Sequence, residues 1–147
     1  MDFTGKVVVI TGASSGIGEA LVYAFADRGA KVVMGARNSA KLAEIAAQLF
    51  TRGIESAFEA TDVTREEDCK RLIDKALSAF GRIDILICNA GISMRALFDD
   101  VQLDVLRQLM DVNFWGTVYC AKYALPALQA AKGTLVGVSS VAGMHGL

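Results

Sequence analysis

The chain has 147 residues and a mass of 15.6 kDa, the size of one domain rather than two. With 53% of its residues from the AVILMFWYC set, 21% charged, one proline and a mean hydropathy of +0.40, it must bury a core, which excludes a disordered, collagenous or proline-rich chain. Fifteen basic residues against 16 acidic ones give a formal charge of -1, so the sequence offers no electrostatic footprint for nucleic acid and no polybasic patch for an anionic membrane.

The amino end, Met1-Asp2-Phe3-Thr4-Gly5-Lys6, carries an acid and leads directly into apolar residues, unlike an export signal. No uncharged apolar run reaches the roughly 20 residues of a membrane helix, so a soluble protein is expected. The cysteines Cys69, Cys88 and Cys120 are odd in number and in no CxxC spacing. Buried free thiols in a reducing compartment follow, hence an intracellular, cytoplasmic protein with no metal site.

Taken in order, the first element is a short β-branched run at 6–11, followed by a glycine loop and a helix striped by Ile17, Ala20, Leu21, Ala24 and Phe25. A second run at 31–36 precedes a helix carrying Leu42, Ile45, Ala46 and Leu49. A third at 55–60 precedes one carrying Cys69, Leu72, Ile73, Ala76, Leu77 and Phe80, which Thr64 and Glu67 would open as a capping box. Gly29, Gly53 and Gly81 follow the three helices where left-handed caps belong. A fourth run at 83–88 leads into a long crossover over 97–131, dense in apolar residues at Val112, Phe114, Trp115, Val118, Tyr119 and Leu125. One or two helices are expected there, with a bend or an end near Pro126. A fifth run spans 134–139. The runs are mostly apolar without strict alternation, as strands covered on both faces would be. Repeated strand–helix units predict right-handed crossovers and an α/β fold: a Rossmann-type, doubly wound parallel sheet with helices on both faces, one domain over 1–147.

Between the first strand and its helix lies Thr11-Gly12-Ala13-Ser14-Ser15-Gly16-Ile17-Gly18. A diphosphate needs backbone N–H groups aimed at it, a partial positive helix end beneath it, and no side chains barring close approach; Gly12, Gly16 and Gly18 provide this. The competing reading is ordinary turn glycines. About 20 residues further on, an acid would hold a free ribose 2'-hydroxyl. Met34-Gly35-Ala36-Arg37-Asn38 supplies a small residue and a guanidinium instead. That suits a 2'-phosphate, so NADP(H) is expected over NAD(H), the alternative being a solvated loop cation. A methyltransferase-like use of the fold lacks its acid for the same reason.

These residues resemble the short-chain dehydrogenase/reductase family, in order and along the whole chain. The glycine loop is similar to the family's TGxxxGxG, Asp62-Val63 to its adenine-contacting pair, and Asn89-Ala90-Gly91 to its NAG. Gly137-Val138-Ser139-Ser140-Val141-Ala142-Gly143 is similar to its catalytic serine segment. The resemblance implies that Gly12, Ser14, Ser15, Gly16, Ile17 and Gly18 cradle the cofactor, with Ser14 and Arg37 on the 2'-phosphate. It implies that Asp62 bonds the adenine amino group beside Val63, and that Asn89, Ala90 and Gly91 adjoin the cofactor. Ser140 would be the catalytic serine, with Ser139 the fallback, and Asn113 the helix asparagine. Asp62 as a cap, Asn89 as a turn residue and Asn113 as a structural amide remain alternatives. His145 has no assigned role.

Family members also carry a Tyr-x-x-x-Lys pair after the serine segment, in which the lysine lowers the tyrosine pKa for proton transfer. Tyr23, Tyr119 and Tyr123 all lack a lysine at the fourth place after them. The fifth strand would also be an open edge. The expectation is therefore an amino-terminal part of a longer protein that reduces a carbonyl or oxidises an alcohol of a small molecule. Residues 91–95 and 113–116 are similar to hydroxysteroid-dehydrogenase-like members. A homodimer or homotetramer is expected, since the fourth-crossover helix packs across a subunit boundary in many members. The rival is a non-catalytic NADP(H)-binding module, which the downstream pair would discriminate.

Overall fold

The structure is a computed structural model in which residues 2–140 are described. Its elements are β1 (Val7–Thr11), α1 (Gly16–Ala26), β2 (Lys31–Ala36), α2 (Ser39–Thr51), β3 (Ser56–Ala60), α3 (Glu66–Phe80), β4 (Ile85–Cys88), α4 (Leu103–Met110), a π-helical turn (Asp111–Trp115), α5 (Gly116–Ala131) and β5 (Thr134–Gly137). The strands form one parallel sheet in the order β3-β2-β1-β4-β5, the expected doubly wound arrangement.

The strand period of two sorts the core into two layers. Val7 and Val9 of β1 join Leu72, Ile73, Cys120 and Ala124 on the α3/α5 face. Val8 and Ile10 join Val22, Leu42, Ile45 and Leu49 on the α1/α2 face. All five β1 residues are buried because strands flank it and helices cover it. Coverage on both faces does not extend to the edges: β3 is only half-buried and every residue of β5 is exposed.

Asp84 pins the amino edge of the sheet and delays β4, which begins at Ile85 rather than at residue 83. Its carboxylate, 4% exposed, accepts from Val7 N (3.0 Å), Arg82 Nε and Nη2 (2.9 and 2.6 Å) and Lys6 Nζ (3.1 Å). Its carbonyl accepts from Thr134 N at 2.8 Å, and Gly133 allows that approach, since a Cβ there would lie 2.4 Å from the Asp84 oxygen. Burial alone would raise this carboxyl's pKa, but the Arg82 guanidinium, the Val7 amide and Lys6 outweigh it and hold it below the usual range.

Gly29, Gly53 and Gly81 take φ of 86°, 71° and 73°, the left-handed values that end helices without a Cβ penalty. The capping box does not form. Thr64 gives both its amide and its hydroxyl to Asp62 Oδ1 (3.0 and 2.8 Å), so Arg65 precedes α3 with no side-chain cap. Nor does a helix end at Pro126, which lies inside α5. The irregularity of the fourth crossover sits earlier, in the π-helical turn.

Candidate functional site

The strand order reverses direction between β1 and β4, and loops leaving those strands' carboxyl ends part to form a cleft of about 680 Å³. Open parallel sheets bind ligands at this point. Its walls are the loop after β1 (Gly12, Ser14, Ser15, Ile17), the ends of β2 and β3, the loop after β4 (Asn89, Ala90, Gly91, Ile92) and, from the last crossover, Gln108, Asp111 and Val112.

At the floor, Ser15 precedes α1 in extended conformation and makes no side-chain cap, which leaves the first-turn amides of α1 without the usual partner. The hydroxyls of Ser14 and Ser15 have no hydrogen-bond partner among the described residues. The three glycines divide their work. Gly16, at φ 54°, would direct a Cβ into open space, so it leaves room for a ligand. Gly12 and Gly18 instead permit internal packing: a Cβ on Gly12 would meet Ala90 Cα at 2.9 Å, and one on Gly18 would lie 2.1 Å from the Gly12 carbonyl oxygen. Of the three, only Gly16 leaves open space where a Cβ would stand.

Arg37 follows β2 and lines the cleft, exposed. Neighbouring polar groups are engaged elsewhere: Asn38 Oδ1 accepts from Lys41 N (3.0 Å) to cap α2, and Lys41 Nζ pairs with Glu44 (3.1 Å) and Glu19 (3.4 Å). The Arg37 guanidinium has no ion pair among the described residues. Asp62 spends Oδ1 on Thr64, while Oδ2 has no partner among the described residues. Val63, 8% exposed, packs against Gly116, where a Cβ would come within 2.8 Å.

Asn89 Nδ2 donates to Thr11 O at 3.0 Å, and the Thr11 hydroxyl accepts from Asn89 N and Ala90 N, each at 3.0 Å. This stitch holds the two central loops together. Thr11 is 2% exposed, and its part was not evident beforehand because a strand threonine ordinarily reads as β propensity. Asn113, in the π-helical turn, is held at both ends of its amide: Oδ1 accepts from Ile92 N and Nδ2 donates to Ile92 O, each at 2.9 Å. It therefore sets the cleft wall through Ile92. Ser140 follows β5 off the same carboxyl edge and is exposed. Val141, Ala142, Gly143 and His145 lie outside the described residues.

Behind the cleft, Cys69, Cys88 and Cys120 are free and buried. Burial and the neighbouring Cys69 push the Cys88 thiol up to about 11, and Cys69 together with burial raises Cys120 further. Neither is a thiolate nucleophile near neutral pH.

A family model described as short chain dehydrogenase matches residues 6–147. The chain belongs to the short-chain dehydrogenase/reductase family. It is 43% identical over 141 residues to 11-beta-hydroxysteroid dehydrogenase A of Sesamum indicum, covering 95% of this chain and 40% of that protein. A short-chain dehydrogenase/reductase of Burkholderia phymatum solved in complex with NAD superposes with a TM-score of 0.94 at 30% identity, over 100% of this chain and 53% of that one. An alcohol dehydrogenase of Thermococcus sibiricus complexed with 5-hydroxy-NADP gives 0.86 at 33% identity, over 88% and 56%. The chain thus spans about half the length of its solved relatives in the family, and less of the sesame protein. Among the described residues, no helix is long and apolar enough to cross a membrane.

Proposed function

We propose that this chain supplies the nucleotide-holding part of an NADP(H)-dependent short-chain oxidoreductase that interconverts a small-molecule carbonyl and its alcohol. The observation that carries the cofactor preference is Arg37, a lining cation without a carboxylate partner among the described residues, at the strand end where an NAD site would place an acid. The residues present fit such a group: helix amides without a side-chain cap, open space at Gly16, and, among the described residues, hydroxyls of Ser14 and Ser15 and an Asp62 Oδ2 without a partner. When bound, the cofactor would supply hydride exchange at its nicotinamide carbon.

The remaining roles belong to the chain's own side chains. The α1 amides receive the diphosphate and Ser14 with Arg37 holds the 2'-phosphate, a charge-assisted pairing suited to a guanidinium. Asp62 Oδ2 accepts from the adenine amino group, with Val63 beside it. Asn89 fixes the loop carrying Ala90 and Gly91, Asn113 holds Ile92 in place, and Ser140 orients the substrate oxygen. Proton transfer would fall to the family's Tyr-x-x-x-Lys pair, absent from this sequence. Since the sesame relative is named an 11-beta-hydroxysteroid dehydrogenase, hydroxysteroids are the first substrates to try. Free buried thiols fit a reducing compartment such as the cytoplasm, and exposed Leu103, Met110 and Phe114 fit a homodimer or homotetramer.

The test is a titration followed by Trp115, the only tryptophan and a neighbour of the cleft-lining turn. NADPH is expected to bind about 10- to 100-fold tighter than NADH, as a charged hydrogen-bonding pair is worth. Arg37→Ala should erase the difference. Tighter binding of NADH by the unaltered protein would overturn the proposal.

A further inference from the structure

The proposed role of Asp62 requires one carboxylate oxygen to stand free at a fixed place on the cleft wall. A turn leaving an edge strand does not hold such a place by itself, particularly when that strand is half-buried. Thr64 fixes Oδ1 from one side through its amide and hydroxyl. The Asp62 carbonyl accepts from Arg65 N at 3.0 Å, and the Asp62 amide is fixed by Asp68, from the first turn of α3.

Asp68 is 6% exposed, unusual for a carboxylate. Its Oδ2 accepts from Asp62 N at 3.0 Å. Its Oδ1 accepts from Arg71 Nη2 at 2.7 Å and lies 3.6 Å from Arg65 Nε, while Arg71 Nε also lies 3.6 Å from Glu59 Oε1 near the end of β3. Burial would raise the pKa of Asp68, but the Asp62 amide and the Arg71 guanidinium outweigh it and keep the group ionised. A buried charge is costly without such partners, and its position at a helix start adds a favourable dipole. The carboxylate so stabilised spends one oxygen on the residue that the proposed function assigns to adenine.

We infer that Asp68 is a positioning residue for the adenine end of the cleft, acting through the Asp62 backbone and without touching the nucleotide. The inference rests on the proposed role of Asp62, so the experiment separates the two.

NADP+ and its hypoxanthine analogue, which lacks the adenine amino group, are titrated into the protein and into Asp68→Ala and Asp68→Asn. Amide hydrogen exchange at Asp62 is read in all three without nucleotide. The unaltered protein should prefer NADP+ by about tenfold, one hydrogen bond's worth. Asp68→Ala should lose that preference and exchange the Asp62 amide at least tenfold faster. Asp68→Asn, which keeps an oxygen for the Asp62 amide, should restore most of both.

Equal weakening of the two nucleotides in Asp68→Ala, with the preference intact, would mean general structural damage and overturn the inference. So would unchanged exchange at Asp62. If the unaltered protein shows no preference, the assignment of Asp62 fails and the inference with it, whereas a preference that survives Asp68→Ala sinks the inference alone.

Discussion

Replacing glycines of the loop one at a time should separate folding from ligand binding, because the three face different surroundings. In Gly18→Ala the new methyl carbon would stand 2.1 Å from the Gly12 carbonyl oxygen and 2.6 Å from Asn89 Nδ2. The first is about an ångström inside any normal approach, and the obstacle is backbone, which cannot rotate away. Relief requires α1 to move off the β1 loop, so the cost belongs at the upper end of overpacking, about 3 kcal/mol. In a domain of this size that lowers the melting temperature by roughly 6–12 °C. Gly16→Ala meets nothing within 4 Å and carries only the penalty of φ 54°, about 1 kcal/mol or roughly 2–4 °C. Its methyl group enters the space proposed for the diphosphate, so NADPH affinity should drop by more than tenfold. Thermal melts by circular dichroism, paired with NADPH titration, measure both. A Gly18→Ala protein melting within about 2 °C of its parent, or a Gly16→Ala protein losing more stability than Gly18→Ala, would refute the packing assignment.

Other consequences concern the sheet and its surroundings. Asp84 has a lowered pKa in the folded state, so its stabilisation is complete above the unfolded carboxyl range near 4 and is lost as pH falls through the folded value. Asp84→Asn should cost about 2 kcal/mol at pH 7 by urea unfolding, discounted because Lys6 and Arg82 are half exposed, and should flatten the acid limb of the stability curve. With Cys88 pushed up to about 11 and all three cysteines buried, iodoacetamide at pH 8 should label none of them in the native protein and three after denaturation, as counted by mass spectrometry. Asn113→Ala removes both bonds to Ile92, so amide exchange around Ile92 should accelerate, while global stability falls by less than about 1 kcal/mol because the site is exposed.

The alternation of strands and helices was legible because burial on both faces writes itself into composition. Val7, Val8, Val9 and Ile10 have to be apolar whichever layer each one enters. Glycines at helix ends were legible because a left-handed φ excludes most other residues. Features decided by a distant partner were not. Thr64 had the right spacing to Glu67 for a capping box, yet Asp62 lay nearer and engaged both its donors. Pro126 signalled an interruption of the fourth crossover, but the departure from α-geometry occurs at Asp111–Trp115. There Asn113 reaches across to a loop 21 residues away in sequence, a contact no local pattern encodes. The glycine loop was recognised as a unit, but the division of labour within it depends on Ala90 and Asn89 arriving from β4.

The two ends of the sheet use their polar groups differently. At the amino edge Asp84 accepts from a backbone amide, a lysine and both nitrogens of an arginine fork. Among the described residues, every buried side-chain nitrogen or oxygen has a partner. Polar groups on the wall of a cleft are hydrated in the free protein, so they can exchange water for a ligand without breaking an internal hydrogen bond. At the carboxyl edge, Ser14, Ser15, Arg37 and Asp62 line one cleft, and the hydroxyls, the guanidinium and Asp62 Oδ2 have no side-chain partner among the described residues, above helix amides without a side-chain cap. On the proposed function, the donors would receive the diphosphate and the 2'-phosphate, and the acceptor the adenine amino group. Internal packing accounts for Gly12, Gly18 and Thr11, whereas Ser14, Ser15, Arg37 and Asp62 Oδ2 keep donors and an acceptor turned to the cleft, the polarity that the proposed dinucleotide would use.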